Sequence, residues 1–136
     1  MSIFLDKNCN PKQLSPQTLA FMGDSVYDLL VREYIINEAN RPVGELNKRK
    51  VKYVNCESQA VSAKYIMDIL TDEEIAVYKR GRNALVKTAP KNLSLADYHS
   101  ATGLEALFGY LYLNGENERI KELFSKCVEI INNIAT

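Results

Sequence analysis

Two short stretches constrain this chain more than anything else in it. Leu19-Ala20-Phe21-Met22-Gly23-Asp24-Ser25-Val26-Tyr27 sets one carboxylate beside a glycine in the middle of an apolar helical pattern. Thr102-Gly103-Leu104-Glu105-Ala106-Leu107-Phe108-Gly109 repeats the arrangement, with Glu105 as the acid. An acid in such surroundings calls for compensation, because burying an unpartnered charge is costly. The two stretches therefore predict two helices that cross and share a divalent cation between Asp24 and Glu105. The competing arrangement pairs each acid with a buried basic residue.

The rest of the chain reads as the helical frame of that crossing. Ser15-Pro16 offers an N-cap followed by a proline at the first helical position, and the helix should run to about Glu38, ahead of Asn40-Arg41-Pro42. Around Asp24 its face carries Ala20, Phe21, Tyr27, Asp28 and Val31. A second helical region spans Val43 to Leu70, broken near Asn55-Cys56, with Val51, Val54, Ala60, Ala63, Ile66, Met67 and Leu70 as its apolar stripe. Thr71-Asp72-Glu73-Glu74 is a capping box with acids in the first turn, opening a helix that stops near Arg82-Asn83.

Gly81 to Leu93, with Pro90 inside it, is the longest irregular segment. Ser94 then caps a helix that is apolar on nearly every side from Ala101 to Leu113, the mark of a central, buried element. Gly103, Ala106 and Gly109 would let neighbouring backbones come close to it. Asn114-Gly115 ends it, and Glu116 to Ile134 is amphipathic, with Ile120, Leu123, Phe124, Cys127, Ile130, Ile131 and Ile134 on one stripe. The expectation is an all-α fold of five to seven helices, forming a single domain over residues 1–136.

Charge composition decides one question. The 17 basic and 17 acidic side chains cancel, so attraction to a polyanion has to come from local clusters. Arg80, Arg82, Lys87 and Lys91 gather in the irregular segment, and Lys48, Arg49, Lys50 and Lys52 form a second group. A charge run is usually only a solvated face, and that reading stays open for the second group. Cys9, Cys56 and Cys127 are too few and too scattered for a disulfide framework or a zinc site, which fits a reducing compartment; Cys56 and Cys127 read as small core residues. With no signal-peptide pattern and no membrane-length apolar run, a soluble cytoplasmic domain is expected.

Phe21-Met22-Gly23-Asp24-Ser25-Val26 resembles the signature helix of the ribonuclease III catalytic domain, and Thr102 to Gly109 resembles that family's second acidic helix. Arg80-Gly81-Arg82-Asn83-Ala84, Pro90-Lys91-Asn92 and Tyr98-His99-Ser100-Ala101-Thr102-Gly103 are similar to its short bacterial branch, Mini-ribonuclease III, which has no double-stranded-RNA-binding domain. The larger enzymes carry a glutamate where this chain has Ala20 and an aspartate where it has Thr102; the Mini branch shares both departures. Fewer carboxylates leave more of a cation's coordination to water, which Mg²⁺ tolerates well.

The resemblance implies a Mg²⁺-dependent endoribonuclease, with Mn²⁺ as an alternative ion, that cuts double-stranded RNA and leaves 5′-phosphate and 3′-hydroxyl ends. Asp24 and Glu105 would be the catalytic metal ligands. Asp28 would orient a water or bind directly, against an equally open reading as a solvated or salt-bridged acid, and Thr102 would support the pair. Arg80, Arg82, Lys87 and Lys91 would contact RNA, and Phe21 would enter the partner subunit of a homodimer. His99 is expected to be structural or RNA-contacting. Precursor ribosomal RNA of the large subunit is the implied substrate. The alternatives are a non-catalytic RNA-binding or ribosome-associated protein of the same fold, and a helical interaction scaffold, which would leave the two acids unmotivated.

Overall fold

The structure, a computed structural model, describes residues 4–84 and 94–134. Among them are six α-helices and two 3₁₀ turns, with no strand: α1 (Pro16–Glu38), α2 (Val43–Tyr53), α3 (Cys56–Ile66), α4 (Asp72–Arg82), α5 (Leu95–Leu113) and α6 (Asn117–Ile134), with the short turns at Pro11–Gln13 and Met67–Ile69. Among the described residues no helix is long and apolar enough to cross a membrane.

Local chemistry sets most of these boundaries. The Ser15 hydroxyl accepts from the Thr18 amide ahead of Pro16, and the Asn55 side chain accepts from the Ser58 amide where α2 gives way to α3. Thr71 and Glu74 form the reciprocal capping box that starts α4. Ser94 accepts from the Asp97 amide at the start of α5. That helix ends on Gly115 at φ 75°, with the Glu116 amide donating to the Leu111 carbonyl and the Gly115 amide to that of Tyr112. This is the Schellman pattern, and it needs a residue that accepts a left-handed backbone.

The centre of the molecule is α5, which packs against α1, α3, α4 and α6. Its Leu104, Ala106, Leu107, Phe108 and Leu111 are fully buried. Phe108 meets Tyr27 edge-on at 5.3 Å between ring centroids, and Tyr27 in turn meets Phe124 of α6 at 5.7 Å. At the far end Arg119 of α6 holds Glu74 with two hydrogen bonds and also donates to the Ile69 carbonyl, which fixes the start of α4. Burial pushes the Glu74 carboxyl up, but Arg119 and Thr71 outweigh it and hold the group below its ordinary range.

The site is positioned by two crossings in which backbone meets backbone. A Cβ on Gly23 would overlap the Glu105 carbonyl oxygen and come within 2.9 Å of the Gly109 amide nitrogen; one on Gly109 would overlap the Leu19 carbonyl and come within 2.8 Å of the Gly23 amide nitrogen. The second crossing, α4 on α5, uses Gly81 against Ala106 and Gly103 against Tyr78. Three expectations change. Val51 is 59% exposed, because α2 turns its inner face, with Tyr53, away from that residue. Arg80 and Arg82 belong to the last turn of α4 rather than to an irregular segment. Cys56 is half-buried, whereas Cys127 is fully buried.

Gly109→Ala should destabilise the fold by up to about 2 kcal/mol net. The overpacking cost of about 1–3 kcal/mol, here against backbone that cannot swing aside, exceeds the roughly 1 kcal/mol of helix propensity gained. Gly44→Ala, where nothing lies within 4 Å of the added methyl, should be neutral or stabilising by up to about 1 kcal/mol. Urea unfolding of the two variants tests the contrast, and equal midpoints would show that the crossing yields.

Candidate active site

The α1–α5 crossing sets Asp24 and Glu105 side by side. The glycine preceding Asp24 lies on the Glu105 carbonyl, so neither acid can move away without separating the helices. Both line a cavity of about 380 Å³ together with Gln17, Ala20, Phe21, Cys56, Gln59, Tyr98, Ala101 and Thr102. The environments of the two acids differ. Asp24 is exposed at the rim, whereas Glu105 is half-buried. Burial, then the hydrogen bond and the charge of Asp24, push the Glu105 carboxyl up to about 8, and the nearby Gln59 amide works weakly the other way.

No basic side chain among the described residues forms an ion pair with either acid. The arrangement with a buried basic partner is therefore absent among those residues. Two hard carboxylates facing one opening are the donor chemistry of a hydrated Mg²⁺ or Mn²⁺. Among the described residues no group of three or more His, Cys, Asp and Glu side chains is placed to hold a metal ion together. The residues thus fit a cation held by two protein ligands that keeps much of its water.

The other candidates fall at varied distances from this point. Thr102 lines the cavity and donates its hydroxyl to the Tyr98 carbonyl at 3.0 Å. Asp28 is not among the lining residues: it binds Arg32 at 2.6 Å and Lys50 at 3.0 Å. Burial raises its carboxyl, but those two cations outweigh burial and hold it low. Asp28 is thus the salt-bridged acid that the sequence left open, and Lys50 of the second basic group is consumed with it. Phe21, at the rim, is 81% exposed.

Arg80 and Arg82 do not converge. Two positions apart on one helix, they point to nearly opposite sides. Arg80 donates to the Leu14 carbonyl, while Arg82 lies 5.8 Å from the Tyr78 ring centre and lines a groove with Lys64, Asp97 and Ser100. Lys87 and Lys91 lie outside the described residues. His99 is half-buried and is absent from the cavity lining. Gln17, Cys56 and Gln59 line the cavity and escaped the sequence reading. Cys56 opens α3 at the cavity, and Gln59 occupies the inward face that it shares with Ser62, Ala63 and Ile66; a polar side chain in register with a core stripe was the available signal.

The raised Glu105 carboxyl has a consequence for the metal-free protein. A carboxyl that titrates at about 8 when folded, against an ordinary 4.5, favours the unfolded state progressively as pH rises between those values. The melting temperature without divalent ions should fall across that window, and Glu105→Gln should flatten the fall. Asp28 and Glu74 act in a separate window, losing their stabilising effect as pH drops through the acid range. Thermal melts in chelator from pH 4 to 9 test this; parallel profiles for the two proteins would refute it.

Known proteins place this architecture. Residues 17–116 match the Ribonuclease III domain family. A Mini-ribonuclease 3 of Thermoanaerobacter sp. (strain X514) is 48% identical over 118 residues, covering 87% of this chain and 83% of that protein. The Mini-ribonuclease 3 of Staphylococcus aureus is 41% identical over 123 residues, covering 89% and 92%. A crystal structure of a Fusobacterium nucleatum protein superposes with a TM-score of 0.80 at 31% identity, covering 87% of this chain and 94% of that one. On this match, and with relatives of such identity along most of its length, the chain belongs to the ribonuclease III family of endoribonucleases, among the Mini-ribonuclease 3 proteins.

Proposed function

We propose that the chain is a Mg²⁺-dependent endoribonuclease that cuts double-stranded RNA as a cytoplasmic homodimer, with precursor large-subunit (23S) ribosomal RNA as its substrate. The observation that carries the reading is the convergence of Asp24 and Glu105 on one open cavity with no basic side chain to neutralise them among the described residues. Its relatives are named as ribonucleases, and the family acts on double-stranded RNA.

Asp24 and Glu105 would hold the ion. When bound, Mg²⁺ supplies positive charge that polarises the phosphodiester and activates water for in-line attack, and Mn²⁺ would serve in its place. The protein's part is placement. The rim position of Asp24 leaves it reachable from solvent, and the deeper Glu105 presents its carboxylate beside it. Ala20, small where the larger enzymes have a glutamate, leaves room in the cavity. Thr102, its hydroxyl proton engaged with Tyr98, turns an acceptor lone pair to its surroundings. Arg82 beside Lys64 offers a basic edge for phosphates, and phosphate contact is how shape-read duplex RNA is held.

Phe21 supports the dimer. An aromatic ring that is 81% exposed at the rim of the cavity is costly in water and suits a two-fold contact in which each subunit buries the other's ring.

Asp24→Asn and Glu105→Gln keep shape and remove charge. Each should lower Mg²⁺-dependent cleavage by more than the roughly 10–100-fold that loss of a supporting contact costs, with the fold intact by circular dichroism. Substantial cleavage by either variant would remove the pair as the metal site. For the dimer, burying a phenylalanine is worth about 1.5–3 kcal/mol and a two-fold contact counts it twice. Phe21→Ala should raise the dimer dissociation constant at least about 100-fold, read by sedimentation velocity. A wild-type chain that sediments as a monomer at micromolar concentration would overturn the assembly.

A further inference from the structure

One side chain in the cavity has chemistry that nothing else in the fold uses. Gln59 is 4% exposed, lines the cavity with Asp24 and Glu105, and carries a buried Nε2 with no hydrogen-bond partner among the described residues. Buried amides are ordinarily satisfied, and an orphan donor weakens the fold. The position does not demand a polar group for packing: α3 sets it in line with Ser62, Ala63 and Ile66 on the inward face, where an apolar side chain of similar size would fill the space without that cost. What the amide faces is a carboxylate. Gln59 and Glu105 line the same cavity, and the Gln59 side chain lies close enough to act on the Glu105 carboxylate as a donor. Between two acids and a single amide, the electrostatics also fix which end points inward: the N–H donor faces Glu105, since the carbonyl end would be repelled.

We propose that Gln59 is a positioning residue for the cation site, its Nε2–H group closing onto Glu105 to fix that carboxylate in the orientation that receives the ion. The proposal rests on the reading of Asp24 and Glu105 as the metal ligands. A ligating carboxylate works best when a second contact sets the direction of its lone pairs, and removing such contacts typically costs 10–100-fold in metal affinity or activity. Gln59 reaches Glu105 from α3, a helix that supplies no carboxylate to the pair, so the site becomes a three-helix construction: α1 gives Asp24, α5 gives Glu105, and α3 gives the donor.

The test uses Gln59→Leu and Gln59→Met, two apolar replacements of similar size, in the full chain. Calorimetric titration with Mn²⁺ alone, without RNA, reads affinity, and thermal melting in chelator reads the fold. Both variants should bind Mn²⁺ about 10–100-fold more weakly while melting at or above the wild-type temperature, since an unpaired donor has gone. In cleavage assays the Mg²⁺ concentration for half activity should rise by a similar factor, with kcat at saturating Mg²⁺ largely retained. Unchanged Mn²⁺ affinity in both variants, with binding lost in Asp24→Asn, would overturn the role of Gln59 and leave the metal pair standing. Wild-type Mn²⁺ affinity in Asp24→Asn would overturn the metal pair and Gln59 with it.

Discussion

Everything about the site follows from the absence of two side chains. At Gly23 and Gly109 the backbones of α1 and α5 touch directly, with the Leu19 and Glu105 carbonyls where methyl groups would otherwise stand. Helices that pack through ordinary side chains keep their axes 8–10 Å apart, and the acids they carry would then be spread by the thickness of that layer. Removing the layer brings the residue after Gly23 and the carboxylate of Glu105 to one spot. The same device recurs at Gly81 and Gly103, which seat α4 on the other side of α5. The central helix is thus gripped from two directions by contacts that allow little sliding, and the position of Glu105 is inherited from both.

The electrostatics then run against the packing. Drawing two carboxylates together in a partly dry place raises the energy of the ionised pair, and the raised Glu105 carboxyl is the measure of it. Three acids elsewhere are matched instead. Glu74 meets Arg119, Asp28 meets Lys50 and Arg32, and Glu73 accepts from Tyr110 and meets Lys12. Asp24 and Glu105 have no such partner among the described residues, and they stand where a cavity opens. Functional sites are where such local rules are expected to fail.

Much of this could be read from the sequence because the signals were local. Ser15-Pro16, Asn55, Thr71 with Glu74, Ser94 and Gly115 each act within a few residues, so the boundaries of the helices needed no knowledge of the fold. Glycines beside acids on apolar helices pointed to the crossing. What escaped the sequence depends on which way a side chain faces. Asp28 looked like a member of the site because it lies one turn from Asp24, yet Lys50, from a different helix, takes it. Arg80 and Arg82 looked like one cluster until the turn of α4 separated them. Gln59 comes to the site from a helix whose own sequence carries no acidic motif, and only the packing of α3 on α5 reveals what it faces.

The crossing also bears on the order in which the molecule comes into being. The N-caps of α1, α3, α4 and α5 are satisfied by neighbours in sequence, and helical proteins rich in local contacts fold quickly. Gly23 and Gly109, however, lie far apart in the sequence, so their contact closes a long loop and waits on α5. During synthesis, with the N-terminal part emerging first, Asp24 exists for most of translation without Glu105 beside it. A protein of this family is made on a ribosome, in the midst of structured RNA. Dividing its two acids between α1 and α5, with three helices in between, keeps the growing polypeptide from assembling the pair before α5 has emerged.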